Sequence, residues 1–501
     1  MRQSTEERLD ALIVNAPFSP FDAGPPAGPA VLKAHCAAKN LVVHTVDLNI
    51  RYLHLFATGR RQTIPLVGDH SKDYLRISSA RSHFVRACPL PTIDASRIPC
   101  CLQPVLSLPH DFEELQYAVE EMASSGFWVD FLKENLFDAF PQPVIIGFSL
   151  MGPAQVLVSS AAARLVRILW PGTIIVAGGS HITLKTTRLV QNRRYEEFFD
   201  LYFPSHCEHI FADFLRAVVT GGKKNACIKK GVISPGTDFI PVQELLPEEW
   251  RCPEFEMSEL PLYAAERISL PVQLSRGCVY GRCSMCTYPA VEALQFRNIP
   301  QMARRMLAGL ANYGVDRISF KDSLLPMQAL KAVADAVMEI GGGLSWSATT
   351  KITARMDSEL MRYLYKGGCR TLEVGVETIH IRHQELLDKR QPMKVIEETL
   401  GAALEAGISV VVNLIYGLPG ETEREAVAQL EWFAGWKQRY PKLLCGSHNM
   451  VEINESSPFA ADPRKYGIML GHIGPWAFTY VWNAPMWRPG FLSRLQIADT
   501  E

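Results

Sequence analysis

Residues 274–289 read Leu-Ser-Arg-Gly-Cys-Val-Tyr-Gly-Arg-Cys-Ser-Met-Cys-Thr-Tyr-Pro and follow directly on the short apolar run Val272 to Leu274. Cys278, Cys283 and Cys286 therefore share one loop with Gly277 and Gly281, and a loop rarely gathers three thiols without a reason. Three thiolates can hold an iron–sulfur cluster and leave one iron open to a small ligand. A ferredoxin needs four thiolates per cluster, and a zinc ribbon needs a second cysteine pair that does not follow here. Arg276 and Arg282 are expected to offset part of the negative charge of such a cluster.

Outward from this loop, the chain alternates apolar strand-like runs with helical patterns. Val272 to Leu274, Arg317 to Phe320, Ser345 to Ala348, Leu372 to Val376, Ser409 to Ile415 and His448 to Ile453 are the expected strands. Helices are expected at Gln301 to Tyr313, Met327 to Ile340 and Lys394 to Ala406, with Gly314, Gly341, Gly367 and Gly407 at helix stops. Six βα units over residues 271–455 suit an open, partial (β/α)6 barrel rather than a closed barrel of eight. The cysteine loop follows the first strand, at the carboxyl end where catalytic groups of such folds sit.

The first 222 residues carry a second alternation. Strands are expected at Asp10 to Asn15, Val42 to Leu48, Val144 to Ser149, Thr173 to Ala177 and Asp200 to Phe203, with helices at Pro29 to Lys39 and Ile210 to Val219. The fold class is therefore α/β: a doubly wound parallel sheet, then the partial barrel. Residues 51–140 interrupt the pattern and read as a helical insertion. Residues 223–270 read as a connector, with Lys223-Lys224-Asn225 followed by Pro235, Pro241, Pro247, Pro253 and Pro261. Residues 456–501 form an extension with Trp476, Trp482 and Trp487, which either shapes a pocket or packs ordinarily.

Composition narrows the class further. A length of 501 residues suggests two or three domains, and a formal charge of −1 argues against nucleic acid as the main partner. No stretch of about 18 apolar residues occurs, so no membrane span is expected, and the polar first ten residues do not read as a signal peptide. Twelve scattered cysteines fit a reducing cytoplasm, not a disulfide framework. Cys36, Cys369 and Cys445 read as plain buried thiols, and the adjacent Cys100 and Cys101 as no metal site.

The three-cysteine loop resembles that of the radical S-adenosylmethionine (SAM) enzymes. Their commonest spacing is three residues and then two, whereas this chain has four and then two. Further stretches match in order: Phe320-Lys-Asp322-Ser323, Thr371-Leu-Glu-Val-Gly-Val-Glu377-Thr378, and Asn413-Leu-Ile-Tyr-Gly417-Leu418-Pro419-Gly420-Glu421-Thr422. A Gly often stands in the family where this chain has Asn413. The resemblance implies a [4Fe-4S] cluster on Cys278, Cys283 and Cys286. It implies SAM contacts from Met285, Tyr288, Asp322, Lys351, Arg355, Glu377, Asn413, Leu418 and Pro419. No residue is assigned a catalytic role.

The N-terminal half resembles the cobalamin-binding domain of one large radical SAM subclass, through Ala16-Pro17, Val46-Asp47-Leu48-Asn49, Gly147-Phe148-Ser149 and Ala177-Gly178-Gly179-Ser180-His181. Cobalamin contacts are implied for Ser149, Leu150, Gly152, Gly178, Gly179, Ser180 and His181. The Asp-x-His-x-x-Gly motif that supplies an axial His is missing, and His44 and His54 lack its context, so cobalamin is expected base-off. The implied activity is reductive SAM cleavage and methyl transfer to an unactivated carbon of a small-molecule or peptide intermediate in biosynthesis. An electron donor such as flavodoxin or ferredoxin is the implied partner. Cyclisation or rearrangement, a non-radical methyl transfer, and a cobalamin or iron–sulfur sensor are the rival readings.

Overall fold

Five short strands of the N-terminal half, four of them almost wholly buried, pair side by side in parallel, as apolar runs joined by helices must. In the computed structural model they are β1 (Ala11–Asn15), β2 (Val43–Asp47), β3 (Ile145–Ser149), β4 (Ile174–Gly178) and β5 (Leu201–Phe203), in the order β2-β1-β3-β4-β5. The structure describes residues 8–19, 24–57, 111–222, 230–242, 244–263, 268–341, 343–477 and 479–485. Cys100, Cys101, Trp487 and Lys223-Lys224-Asn225 lie outside them, as do residues 58–110 of the expected insertion. Its described part is helical, with Phe112–Ser124 and Gly126–Leu132.

The second sheet holds β6 (Ser269–Val272), β7 (Arg317–Phe320), β8 (Ser345–Thr350), β9 (Cys369–Glu377), β10 (Ser409–Tyr416) and β11 (Leu443–Met450), all parallel and in sequential order. Its ends, β6 and β11, do not pair with each other, so the arrangement is an open partial barrel. A small antiparallel pair, β12 (Ile453–Asn454) and β13 (Thr479–Tyr480), follows.

Two expected strands move. The first ends at Val272 because the Asp322 carboxylate takes the next amides, Leu274 N–H at 3.0 Å and Ser275 N–H at 2.5 Å, in place of ladder partners. The last begins at Leu443, and the expected His448 to Ile453 run straddles two sheets. Val410 pairs with Leu443, whereas Ile453 pairs with Tyr480. The expected helix stops hold: Gly314, Gly341 and Gly407 have positive φ, and Gly367 caps its helix at φ −81° with the positive φ at Gly368.

The chain divides into two compact units: residues 1–245, 249–266 and 474–478 form the first, and the remainder the second. Most of the described connector thus belongs to the first unit rather than lying free. Tyr263 donates its hydroxyl to Asp47, and Asp47 N–H donates to Glu259 at 3.2 Å. Trp476 is also part of that unit. It is 1% exposed and meets Tyr195 edge-on at 4.8 Å, while Tyr195 donates to the Pro475 carbonyl at 2.7 Å. Of the expected aromatic tail, this residue is a core anchor.

At the carboxyl edge of the first sheet, the buried Gln155 amide donates to Asn15 Oδ1 (3.1 Å) and the Ala16 carbonyl (3.0 Å) and accepts from Met151 N–H (2.7 Å). It joins the loops after β1 and β3, the point where strand order reverses and where such sheets bind ligands. Gly179 adopts φ +103°, and a Cβ there would lie 2.4 Å from the Leu150 carbonyl oxygen. Its glycine serves a close approach within the chain itself. Gly179→Ala is expected to cost more than about 2 kcal/mol, from a disfavoured φ plus the clash. An unchanged denaturation midpoint would contradict this.

Candidate functional site

The cysteine loop leaves β6 and is tied down along its length. Arg276 and Gln295 exchange backbone hydrogen bonds of 3.0 Å, and Gly277 N–H donates to the Glu292 carboxylate at 2.7 Å. Gly277 has φ +70°, and a Cβ there would meet the 293–294 backbone at 3.0 Å, so this turn requires glycine. Further on, Ser284 N–H donates to the Leu387 carbonyl at 3.0 Å, and Phe459 N–H donates to the Ser284 carbonyl at 2.9 Å. The three cysteines between these anchors are half-buried free thiols. Burial raises the Cys283 thiol, and it raises Cys286 to about 11 even though the Tyr288 N–H favours the thiolate. Among the described residues no three His, Cys, Asp or Glu side chains converge where one metal ion could sit. A cluster that gives each cysteine its own iron requires no such convergence, and the donor set fits it.

Positive charge reaches this loop from an unexpected quarter. Arg282 is exposed and Arg276 is buried. Lys389 and Lys351 lie within electrostatic reach of Cys283. Lys389 Nζ pairs with Glu377 Oε1 at 2.8 Å, both side chains largely buried. Burial disfavours the Lys389 charge, but Glu377, Cys283 and Cys286 outweigh it and its pKa is raised. Lys351 donates to the Lys389 carbonyl and lies over the Tyr280 ring at 4.1 Å. Burial, then Lys389, pull its pKa down to about 8.

Glu377 closes β9 with φ +64°, a strained conformation for a residue with a side chain. Buried glutamines hold the strain in place. Gln384 donates to the carbonyls of Val376 (2.9 Å) and Thr378 (2.6 Å), and Gln391 to that of Gly375 (2.9 Å). A Cβ at Gly375 would lie 2.1 Å from Glu377 Oε1 and 2.6 Å from Lys389 Nζ, so a larger residue there would displace the pair.

The remaining expected SAM residues fall in several different settings. Met285 and Leu418 share one apolar cluster with Leu387, Val451 and Phe459. The turn at 417–421 is held by Glu421, which accepts from Gly417 N–H (2.5 Å) and Leu418 N–H (3.1 Å). Asn413 donates to Glu373 at 2.7 Å. Arg355 and Tyr288 are exposed, and Pro419 is half-buried. Asp322 is committed to the loop backbone, also accepting from the Ser275 hydroxyl at 2.6 Å, and acts as a positioning residue.

Burial pushes the Asp322 carboxyl up to about 7 despite the Ser275 and Leu274 donors, against about 3.9 in an unfolded chain. Between those values the folded chain holds a proton that the unfolded chain has released, so stability falls as pH rises from about 4 to about 7. Asp322→Asn is expected to flatten that slope. Equal slopes in denaturation midpoints across the window would refute the assignment.

In the first unit, Ser149, Gly152, Gly178 and Gly179 are half-exposed and Ser180 is exposed at the carboxyl edge, while Leu150 is fully buried. A Cβ at Gly152 would meet nothing within 4 Å, so this edge has room for a ligand. His181 is 0% exposed, its ring 6.0 Å from Trp476, and burial lowers its pKa to about 3. A group bound at this edge would not be ligated by that ring as it stands. Sequence reasoning missed Lys389, Gly375 and Gln155; the Glu377–Lys389 spacing carried no local signal for the pairing.

Residues 272–433 match the family model described as the radical SAM superfamily. An uncharacterized methyltransferase of Pyrococcus horikoshii is 22% identical over 292 residues, 54% of this chain and 60% of that protein. The chain thus spans less than two thirds of this relative. Among solved structures, the radical SAM methyltransferase TsrM from Kitasatospora setae, with cobalamin and a [4Fe-4S] cluster bound, aligns at TM-score 0.58. That alignment has 14% identity and covers 94% of this chain and 80% of TsrM. The cobalamin-dependent radical SAM enzyme OxsB, with aqua-cobalamin bound, aligns at TM-score 0.61 with 13% identity, over 95% of this chain and 64% of OxsB. At such identities these likenesses show the fold.

Proposed function

We propose that this chain, a member of the radical SAM superfamily through residues 272–433, is a cobalamin-dependent radical SAM methyltransferase acting on a small-molecule or peptide intermediate. The observation that carries the reading is the three-cysteine loop at the carboxyl end of β6, set against the Glu377–Lys389 pair. A flavodoxin- or ferredoxin-type electron donor belongs to the same proposal. When bound, the cluster and SAM supply one-electron cleavage chemistry, and cobalamin supplies a transferable methyl group.

Cys278, Cys283 and Cys286 would hold the cluster, and Lys389 and Lys351 would stabilise its negative charge. Glu377 and Lys389 present a carboxylate and an ammonium side by side, complementary to the ends of an amino-acid zwitterion. Met285 and Leu418 would supply apolar contact. The likeness to TsrM and OxsB across both units supports a cobalamin site at the edge around Ser149, Gly152 and Gly179.

Anaerobic reconstitution with iron and hydroxocobalamin tests this. About four iron and one cobalt per chain are expected, with a base-off cobalamin spectrum. Iron without cobalt would remove the methyltransferase reading and leave the radical SAM one. A product heavier by one methylene supports methylation; loss of hydrogens would favour cyclisation.

A further inference from the structure

A parallel sheet is ordinarily covered on both faces, and its strands read as continuous apolar runs. Barrel interiors are likewise filled by Val, Ile and Leu. The middle strands of the second sheet depart from both rules. Along β9 and β10, Leu372, Val374, Val410 and Val412 are buried, whereas Thr371, Glu373 and Asn413 between them are half-exposed. Helices cover the apolar face. The opposite face is mixed: Thr349 and Val411 stand on either side of Glu373, Asn413 stands opposite Gly375, and the Ser347 hydroxyl donates to that of Ser319 at 3.3 Å. Polar groups on such a face are stable when solvated or when a polar ligand meets them.

Glu373 gives this face its charge. Its Oε1 accepts from Asn413, and among the described residues no Lys, Arg or His pairs with it. A carboxylate only accepts, so it calls for a donor, and a cationic one most strongly. Four residues separate it from Glu377, about 13 Å along the strand, so it lies below the level of the Glu377–Lys389 pair.

We propose that the substrate carries a basic nitrogen, an ammonium or guanidinium group, which Glu373 and Asn413 bind on this mixed face of the second sheet. This rests on the reading of that sheet as the barrel of a radical SAM enzyme. The probes are agmatine and its neutral counterpart 1,4-butanediol, titrated into the reconstituted chain at about 0.15 M salt and followed by ligand-observed NMR. Agmatine is expected to bind, butanediol not, and Glu373→Gln to weaken agmatine at least about tenfold. Thr349→Lys, which places an ammonium opposite Glu373, is expected to abolish binding by occupying the carboxylate internally. Equal agmatine binding by wild type and Glu373→Gln would overturn the proposal, as would equal binding of the two probes or no agmatine binding. Methionine release from SAM in the same wild-type sample tests the enzyme reading separately. Release without amine discrimination would overturn only the substrate class, and discrimination without release only the reaction.

Discussion

Cys283→Ala is expected to abolish cluster assembly, and with it SAM cleavage, although the fold survives. The three cysteines lie between anchors that do not depend on them: Gly277 on Glu292 upstream, Ser284 on Leu387 and Phe459 downstream. Losing one thiolate leaves a second iron without a protein ligand. Cys283 is also the thiol whose charge both Lys351 and Lys389 favour. Cys278→Ala and Cys286→Ala are expected to behave alike. Cys36→Ala is the control: Cys36 is fully buried, its thiol is pushed up to about 12 by burial, and its loss should leave iron content unchanged. Iron analysis after anaerobic reconstitution decides. Full iron, or retained SAM cleavage, in any one of the three loop variants would remove the cluster assignment.

Lys389→Met is expected to destabilise the second unit by about 3–5 kcal/mol, because it leaves Glu377 buried without its partner. Adding Glu377→Gln should recover much of that loss, since a neutral amide does not need the ammonium. Gly375→Ala attacks the same pair from the strand, its Cβ falling where the carboxylate and ammonium now meet. Denaturation midpoints of the single and double variants measure the coupling. If the double variant is no more stable than Lys389→Met, the pair is not the source of the cost.

Much of this architecture was legible beforehand, for a physical reason. Arg317–Phe320 and Met327–Ile340 fall where their periodicity places them, since a strand or helix with one covered face must repeat its apolar residues at the period of its backbone. The limits of β6 and β11 were not legible. Asp322, far along the chain, captures the amides that would have extended β6, and β11 is an edge strand whose pairing with β10 shifts register at Val412/Asn413. Gly178 and Gly179 are implied cobalamin contacts, but Gly179 is needed first for the approach of Leu150.

The spacing of Cys278, Cys283 and Cys286, the order of the βα units and the position of the thiol loop after a strand are all properties of neighbours along the chain. A single sequence therefore carries them whole. The cation that faces those thiols is a different matter. Lys389 lies in a loop beyond β9, and it meets Glu377 and Cys283 only because β9 and β6 run parallel in one sheet, with their carboxyl ends at the same edge. Charges interact through space and not along the backbone, so Lys389, unlike the expected Arg276 and Arg282, became visible only once the strands were assembled.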